Sequence, residues 1–286
     1  MKFSIVFSIF IFISTFSYGQ RQRIKIGNET RPFTLYVPKT IDVSKPIPLV
    51  LNLHGSGMSN TEQMFYSEMN KTAEKYGFAV LYPQGNNKDW NVGFEMDYDD
   101  GQDDVGYIKQ VLQEVKNQIS VDENAIFAIG LSRGGFFTYR LAAEMSDTFS
   151  GICAVGAPIP VEVMKRNNSK AKMAVLIVHG TDDEIVSYEG KESAYASTDE
   201  TVDYWLERNN NHKLPSIEKI DLTEDGTSVT IKRFSKNPNV MLITIENGGH
   251  TWPGSDPFNI GFPLGKTTQD ICINEIMWKF FDANRR

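Results

Sequence analysis

The sequence predicts an α/β fold in which one mostly parallel sheet carries helices on both faces. Three observations lead there. Short, continuous apolar and β-branched runs alternate along the chain with stretches of helical period. Such runs lack a polar face, and strands of that kind belong to parallel sheets covered on both sides. One of them, Ala125 to Ile129, leads directly into Gly130-Leu131-Ser132-Arg133-Gly134 and then a helix-like stretch. Strand, tight turn and helix in that order are what a nucleophile elbow requires.

The elements follow in order. Lys2 and the apolar run from Phe3 to Phe16 precede Ser17-Tyr18-Gly19, a positive start, a hydrophobic stretch and small residues at a cleavage site. This reads as an export signal over residues 1–19, cleaved after Gly19. The run is shorter than the ~20 residues that span a bilayer, and no cysteine at the cleavage point offers a lipid anchor. No later segment is long and apolar enough to re-enter a membrane, so no stable membrane insertion is expected after cleavage. Residues 20–286 are then read as one domain.

Thr34 to Val37 reads as a strand stopped by Pro38, and Pro48 to Leu53 as a strand ending in His54-Gly55-Ser56-Gly57. Helical period follows from Thr61 to Tyr76, then a strand from Phe78 to Tyr82 closed by Pro83. Asp104 to Ile119 is helical, with Val105, Ile108, Val111, Leu112 and Val115 on one face. Asp103 and Asp104 begin that helix, where carboxylates cap free N–H groups and suit the dipole. After the elbow come a helix over Phe136 to Met145, strands at Ile152 to Val155 and Ala174 to Val178, and a helix at Asp199 to Glu207. Asn209 to Lys213 terminates that helix and leaves His212 exposed. Strands at Val229 to Phe234 and Val240 to Ile245 and a helix at Ile271 to Phe281 complete the chain.

Charge and cysteine content narrow the function. The chain carries a net charge of −7, and −8 once Lys2 is removed with the signal. Nucleic acid, which needs a basic face, is not the expected partner. Cys153 and Cys272 each lie in an apolar stretch; they can pair in an oxidising compartment or remain free thiols. Neither neighbours a second Cys or a His at ligand spacing, so no structural zinc is expected.

Ser132 needs a base to accept its proton, and the base needs an anion to fix its tautomer. Only four histidines exist. His54, His179 and His250 each follow an apolar run, and functional loops gather at the carboxyl ends of parallel strands. Four loops therefore meet at one edge: His54 to Gly57, Gly130 to Gly135, His179 to Asp183, and Gly248 to Gly254. The order of serine, then Asp182 or Asp183, then His250 is the one found in α/β-hydrolases.

The sequence resembles the α/β-hydrolase esterases grouped with secreted polyhydroxybutyrate depolymerases and feruloyl esterases of the carbohydrate-esterase type. The resemblance runs from about Arg31 to the C-terminal helix. It is carried by Leu53-His54-Gly55-Ser56-Gly57, Tyr82-Pro83-Gln84-Gly85, Asp103-Asp104-Val105-Gly106-Tyr107-Ile108, Gly130-Leu131-Ser132-Arg133-Gly134-Gly135, His179-Gly180-Thr181-Asp182-Asp183 and Gly249-His250-Thr251-Trp252-Pro253-Gly254. It implies an α/β-hydrolase fold and a serine ester hydrolase acting through an acyl-enzyme without metal or cofactor. Its HGTxD pattern implies Asp183 as the acid, leaves Asp182 solvated, and implies that His54 and His179 are structural.

The oxyanion hole is expected from the backbone N–H of Arg133, the residue after the nucleophile, and an N–H of the His54 to Gly57 loop, Ser56 first. Losing such a donor costs on the order of 10²–10³ in turnover. Because the donor is backbone, trimming the Arg133 side chain is not expected to have that effect. The side chain itself either recognises an acid group or pairs with a carboxylate. Trp252, two residues past the base, and Trp90, in the loop after Gly85, either wall the acyl pocket or pack their own loops. The substrate expected first is a feruloyl or other polysaccharide-linked ester, because no appended polymer-binding segment is present. Polyhydroxybutyrate oligomers come second, and a non-catalytic carbohydrate-binding relative is the reading from another class. Export to the periplasm or the exterior fits the signal equally, and the oligomeric state is left open.

Overall fold

The structure, a computed structural model, describes residues 19–27, 29–235, 239–257 and 263–286. Apart from Gly19, the expected export signal lies outside the described residues. Among them, ten strands form one sheet: β1 (Gln20–Ile26), β2 (Glu29–Tyr36), β3 (Ile47–Leu53), β4 (Ala79–Pro83), β5 (Val121–Leu131), β6 (Gly151–Val155), β7 (Ala174–Gly180), β8 (Ser216–Ile220), β9 (Ser228–Phe234) and β10 (Val240–Glu246). They lie in the order β1-β2-β4-β3-β5-β6-β7-β10-β9-β8. From β4 to β10 every neighbour is parallel. The two edges are antiparallel additions, β1 and β2 on one side and β9 and β8 on the other.

The helices are α1 (Asn60–Ser67), α2 (Met69–Tyr76), α3 (Asp104–Gln118), α4 (Arg133–Glu144), α5 (Val161–Arg166), α6 (Thr198–Arg208) and α7 (Ile273–Asp282). The period-two geometry of a strand divides the central strands between two apolar layers. On one face, Ile126 and Ala128 of β5 join Val105, Ile108 and Val111 of α3 and Phe137 and Leu141 of α4. Ala125, Phe127 and Ile129 join Met69 and Ala73 of α2 and Met277, Trp278 and Phe281 of α7 on the opposite face. Phe127 stacks on Phe281 with ring centroids 4.4 Å apart. Each such large side chain, fully removed from water, contributes roughly 1.5–3 kcal/mol. The doubly apolar strands read from the sequence are the middle of this sheet.

Three departures have physical reasons. The single helical stretch from Thr61 to Tyr76 is two helices, because Glu68 adopts φ 50° and ψ 24° between them. Strands β1 and β8 escape the apolar pattern: their sequences, QRQRIKI and SIEKI, are rich in charge and largely exposed. Both are edge strands, where charged side chains discourage further pairing. Helix α4 begins at Arg133, directly after the elbow serine and not at Phe136.

Asp103 caps α3 as expected, accepting the Gly106 N–H at 2.7 Å. Asp104 instead turns inward. Fully buried, it pairs with Arg31 at 2.6 Å and accepts the Asn91 N–H at 2.7 Å. Burial pushes its carboxyl up, against the opposing pull of Arg31. Cys153 is buried and Cys272 exposed, and both are free thiols. His212 is exposed in the loop after α6.

Candidate active site

Ser132 occupies the turn between β5 and α4 with φ 54° and ψ −121°, a conformation that costs free energy for any residue with a side chain. The turn is tight enough to demand its glycines. A Cβ on Gly130 would come within 2.3 Å of the Gly134 carbonyl carbon, and one on Gly134 within 2.4 Å of the Leu53 oxygen. The Ser132 N–H donates to the Val155 carbonyl at 2.8 Å, which fixes the elbow to the end of β6.

Asp183, in the loop after β7, and His250, in the loop after β10, form a buried pair, Nδ1 to Oδ2 at 2.6 Å. The other oxygen, Oδ1, accepts the N–H groups of Ile185 at 3.0 Å and Val186 at 2.8 Å. His179 stands on the far side, with Nε2 3.3 Å from Asp183 Oδ2 and 2.9 Å from the Val186 carbonyl. Two acceptors at Nε2 place the proton there, so Nδ1 accepts the Thr198 hydroxyl at 2.6 Å. Burial pushes the Asp183 carboxyl up, but hydrogen bonds from His179 and His250 outweigh it and hold the group well below the usual carboxylate range. Asp183 is therefore an anion at neutral pH. It fixes the Nδ1–H tautomer of His250 and leaves Nε2 as the nitrogen that can take a proton. Asp182 is exposed.

Gly156 connects this pair to the elbow. It follows Val155, which holds Ser132, and its N–H donates to Val178 of β7 at 2.8 Å. Its φ is +59°, and a Cβ there would lie 2.9 Å from His250 Nδ1 and 3.5 Å from Asp183 Oδ2. Glycine lets the imidazole approach the backbone beside Ser132. The His250 loop is stitched from both sides, with the His250 N–H on Leu264 at 2.6 Å and the Asp182 N–H on Gly248 at 2.9 Å.

The His54 to Gly57 loop reaches the elbow as well, since a Cβ on Gly55 would sit 3.5 Å from Ser132 Cβ. Ser56 is exposed, and its N–H meets no acceptor among the described residues. Arg133 opens α4, so its N–H is one of the first-turn donors that a helix leaves without an internal partner. His54 props this loop from beneath: Nδ1 donates to Gly55 O at 2.8 Å and Nε2 accepts the Gly85 N–H at 2.9 Å. Burial lowers its pKa to about 4, so the ring is neutral.

The expectation that the two tryptophans wall the acyl pocket or pack their own loops is corrected by their burial, because both rings pack into the core against other elements. Trp90 is fully inaccessible, stacks on Phe137 at 4.9 Å and donates Nε1–H to the His54 carbonyl at 3.0 Å. Trp252 is 1% exposed and donates Nε1–H to Asn274 Oδ1 at 3.0 Å. Neither offers a face to a substrate. An accessible aromatic near the elbow is Phe94, half-buried and edge-on to Phe136, one helical turn past Ser132, at 5.1 Å. Nothing in its surroundings of Gly, Asn and Asp marked it in the sequence. Among the described residues no cluster of three or more His, Cys, Asp or Glu side chains is arranged to hold a metal ion. No helix among them is long and apolar enough to cross a membrane.

A parallel sheet covered on both faces, with a serine at its elbow beside a buried Asp–His pair, defines the α/β-hydrolase class. Residues 31–182 match the family described as Esterase PHB depolymerase, and the chain belongs to it. Among relatives, a protein named probable feruloyl esterase C from Aspergillus niger (strain ATCC MYA-4892 / CBS 513.88 / FGSC A1513) is 26% identical over 262 residues, covering 88% of this chain and 84% of its own. A poly(3-hydroxyalkanoate) depolymerase C from Paucimonas lemoignei is 30% identical over 169 residues, 55% of this chain and 40% of its own. An acetyl xylan esterase from Aspergillus awamori superimposes with a TM-score of 0.66 at 15% identity, covering 92% of this chain and 99% of its own, a likeness of fold. The chain is a carboxylic-ester hydrolase.

Proposed function

We propose that residues 20–286 form one exported catalytic domain that opens esters through an acyl-enzyme on Ser132. The observation that carries this reading is the buried 2.6 Å Asp183–His250 pair held beside the strained elbow. In the proposed cycle, His250 Nε2 takes the Ser132 proton as Oγ attacks the ester carbonyl, and Asp183 stabilises the imidazolium. The N–H groups of Arg133 and Ser56 receive the developing oxyanion. His250 then returns the proton to the leaving alkoxide, and water releases the acid by the same route. The acyl group rests on the Phe94 side of the elbow, where the half-buried ring offers apolar surface to a phenolic acid.

Feruloyl or related polysaccharide-linked esters are the first substrate class, supported by the near full-length similarity to a feruloyl esterase. Polyhydroxybutyrate oligomers are the second, supported by the family itself. Release of ferulate from methyl ferulate, set against release of 3-hydroxybutyrate from its oligomers, separates the two. Hydrolysis of p-nitrophenyl acetate tests the chemistry: Ser132→Ala is expected to lose at least about 10³-fold in turnover. An unchanged Ser132→Ala rate sinks the mechanism, and an inert wild type favours a carbohydrate-binding relative. Mass spectrometry of the exported protein, with an N-terminus at Gln20, tests the signal.

A further inference from the structure

The two proposed oxyanion donors come from segments far apart in sequence, yet they must converge on one oxygen within about 0.5 Å. The side chain of Arg133 offers the means. Only 11% exposed, its guanidinium places Nε 3.0 Å from Asp89 Oδ1, pairs with Glu95, and lies 4.8 Å over the Phe94 ring. Asp89 Oδ1 also accepts the Trp90 N–H at 2.8 Å. Arg133 therefore anchors residues 89–95 to the elbow.

Residues 85–90, which run into that segment and share Asp89 and Trp90 with it, grip the loop bearing Ser56 at three points. The Gly85 N–H donates to His54 Nε2 at 2.9 Å, Trp90 Nε1–H to the His54 carbonyl at 3.0 Å, and the Gly57 N–H to the Lys88 carbonyl at 2.9 Å. The connection runs from the elbow through the Arg133 side chain to Asp89, on to Lys88 and Trp90, and then to His54 and Gly57 on either side of Ser56.

We infer that the Arg133 side chain is a positioning group that sets the Ser56 and Arg133 N–H donors in register through Asp89 and Glu95. This rests on the reading of those two N–H groups as the oxyanion hole. Both carboxylates engage the guanidinium, so it is not the receptor for an acid group on the substrate. The backbone donor survives when the side chain is trimmed, but its partner loop loses its tie to it.

Arg133→Met keeps the apolar stem and removes the guanidinium. It is expected to lower kcat for p-nitrophenyl acetate on the order of 10–100-fold, the scale of a small misplacement of catalytic groups, with KM within about threefold. Amide hydrogen exchange should accelerate at residues 54–58 and 85–95 while β3 and β5 stay protected. Asp89→Asn should move both readouts the same way, and the double variant should be no worse than the poorer single one, because both break one connection. A wild-type kcat in Arg133→Met, unchanged exchange in the two loops, or losses that multiply in the double variant overturns the inference. Ser132→Ala separates this from the parent reading: if it stays active the acyl-enzyme mechanism fails, while the exchange measurement still decides whether the tie exists.

Discussion

His54 gives the fold a pH liability that can be measured. The ring is 0% exposed, and its Nε2 lone pair accepts the Gly85 N–H, a bond that a protonated ring cannot accept. Burial lowers its pKa from 6.5 to about 4. Above pH 6.5 the ring is neutral in both folded and unfolded chains and the full stability is present. As pH falls below 6.5 the unfolded chain binds a proton that the native state refuses until about pH 4, so stability is lost across that window. At about 1.4 kcal/mol per tenfold, the loss approaches roughly 3 kcal/mol. Urea unfolding midpoints at a series of pH values between about 7 and 4.5 report it. His54→Gln should be less stable at pH 7, because the Gly85 contact is weakened, but its stability should fall less steeply over the same range. If the wild type and His54→Gln lose equal stability between those pH values, the neutral, buried reading of His54 is wrong.

Gly156→Ala places a Cβ 2.9 Å from His250 Nδ1 in a residue at φ +59°; turnover should fall at least about 10²-fold by displacement of the base, alongside a loss of about 1–2 kcal/mol in unfolding free energy. Wild-type turnover would show that the imidazole does not need that space. Trp252→Phe leaves Asn274 Oδ1 without its donor and should cost about 1–3 kcal/mol in urea unfolding, while the ratio of ferulate to acetate ester hydrolysis stays put. A change in that ratio without a change in stability would return Trp252 to the substrate. Asp104→Ala strands Arg31 in a site where the two side chains are 8% and 0% exposed; the expected loss is about 3–5 kcal/mol by the same method, and a loss below about 1 kcal/mol would contradict the buried pair.

What the sequence made legible at this site is what the backbone decides. Gly130 and Gly134 are required by the closeness of the chain to itself at the elbow, and a loop that follows a parallel strand brings its residues to the carboxyl edge of the sheet whatever surrounds them. The residues themselves point to Ser132 and His250 for that reason, but leave Asp182 and Asp183 open, and only the family pattern favours Asp183. Edge strands β1 and β8 were not, because their charge removes the apolar pattern by which a strand is recognised. The tryptophans mark a second boundary. Sequence distance from His250 constrains where the Trp252 backbone lies but not the direction of its indole, and in a loop without period the ring turns into the core, where Asn274 meets its N–H.

The same boundary explains Arg133. Its position after Ser132 makes its N–H the proposed oxyanion donor from the sequence, because that group is backbone and the elbow fixes it. Its guanidinium finds Asp89 and Glu95 in an irregular stretch containing left-handed residues at Asn87, Lys88 and Glu95, and no pattern of residue types announces that meeting. One residue is thus readable in its main chain and silent in its side chain. The silent half joins the elbow to the loop bearing Ser56, so the support of a site is harder to read than its reacting groups: it is made of side chains that cross between loops, each placed by folding of the whole chain rather than by a local period.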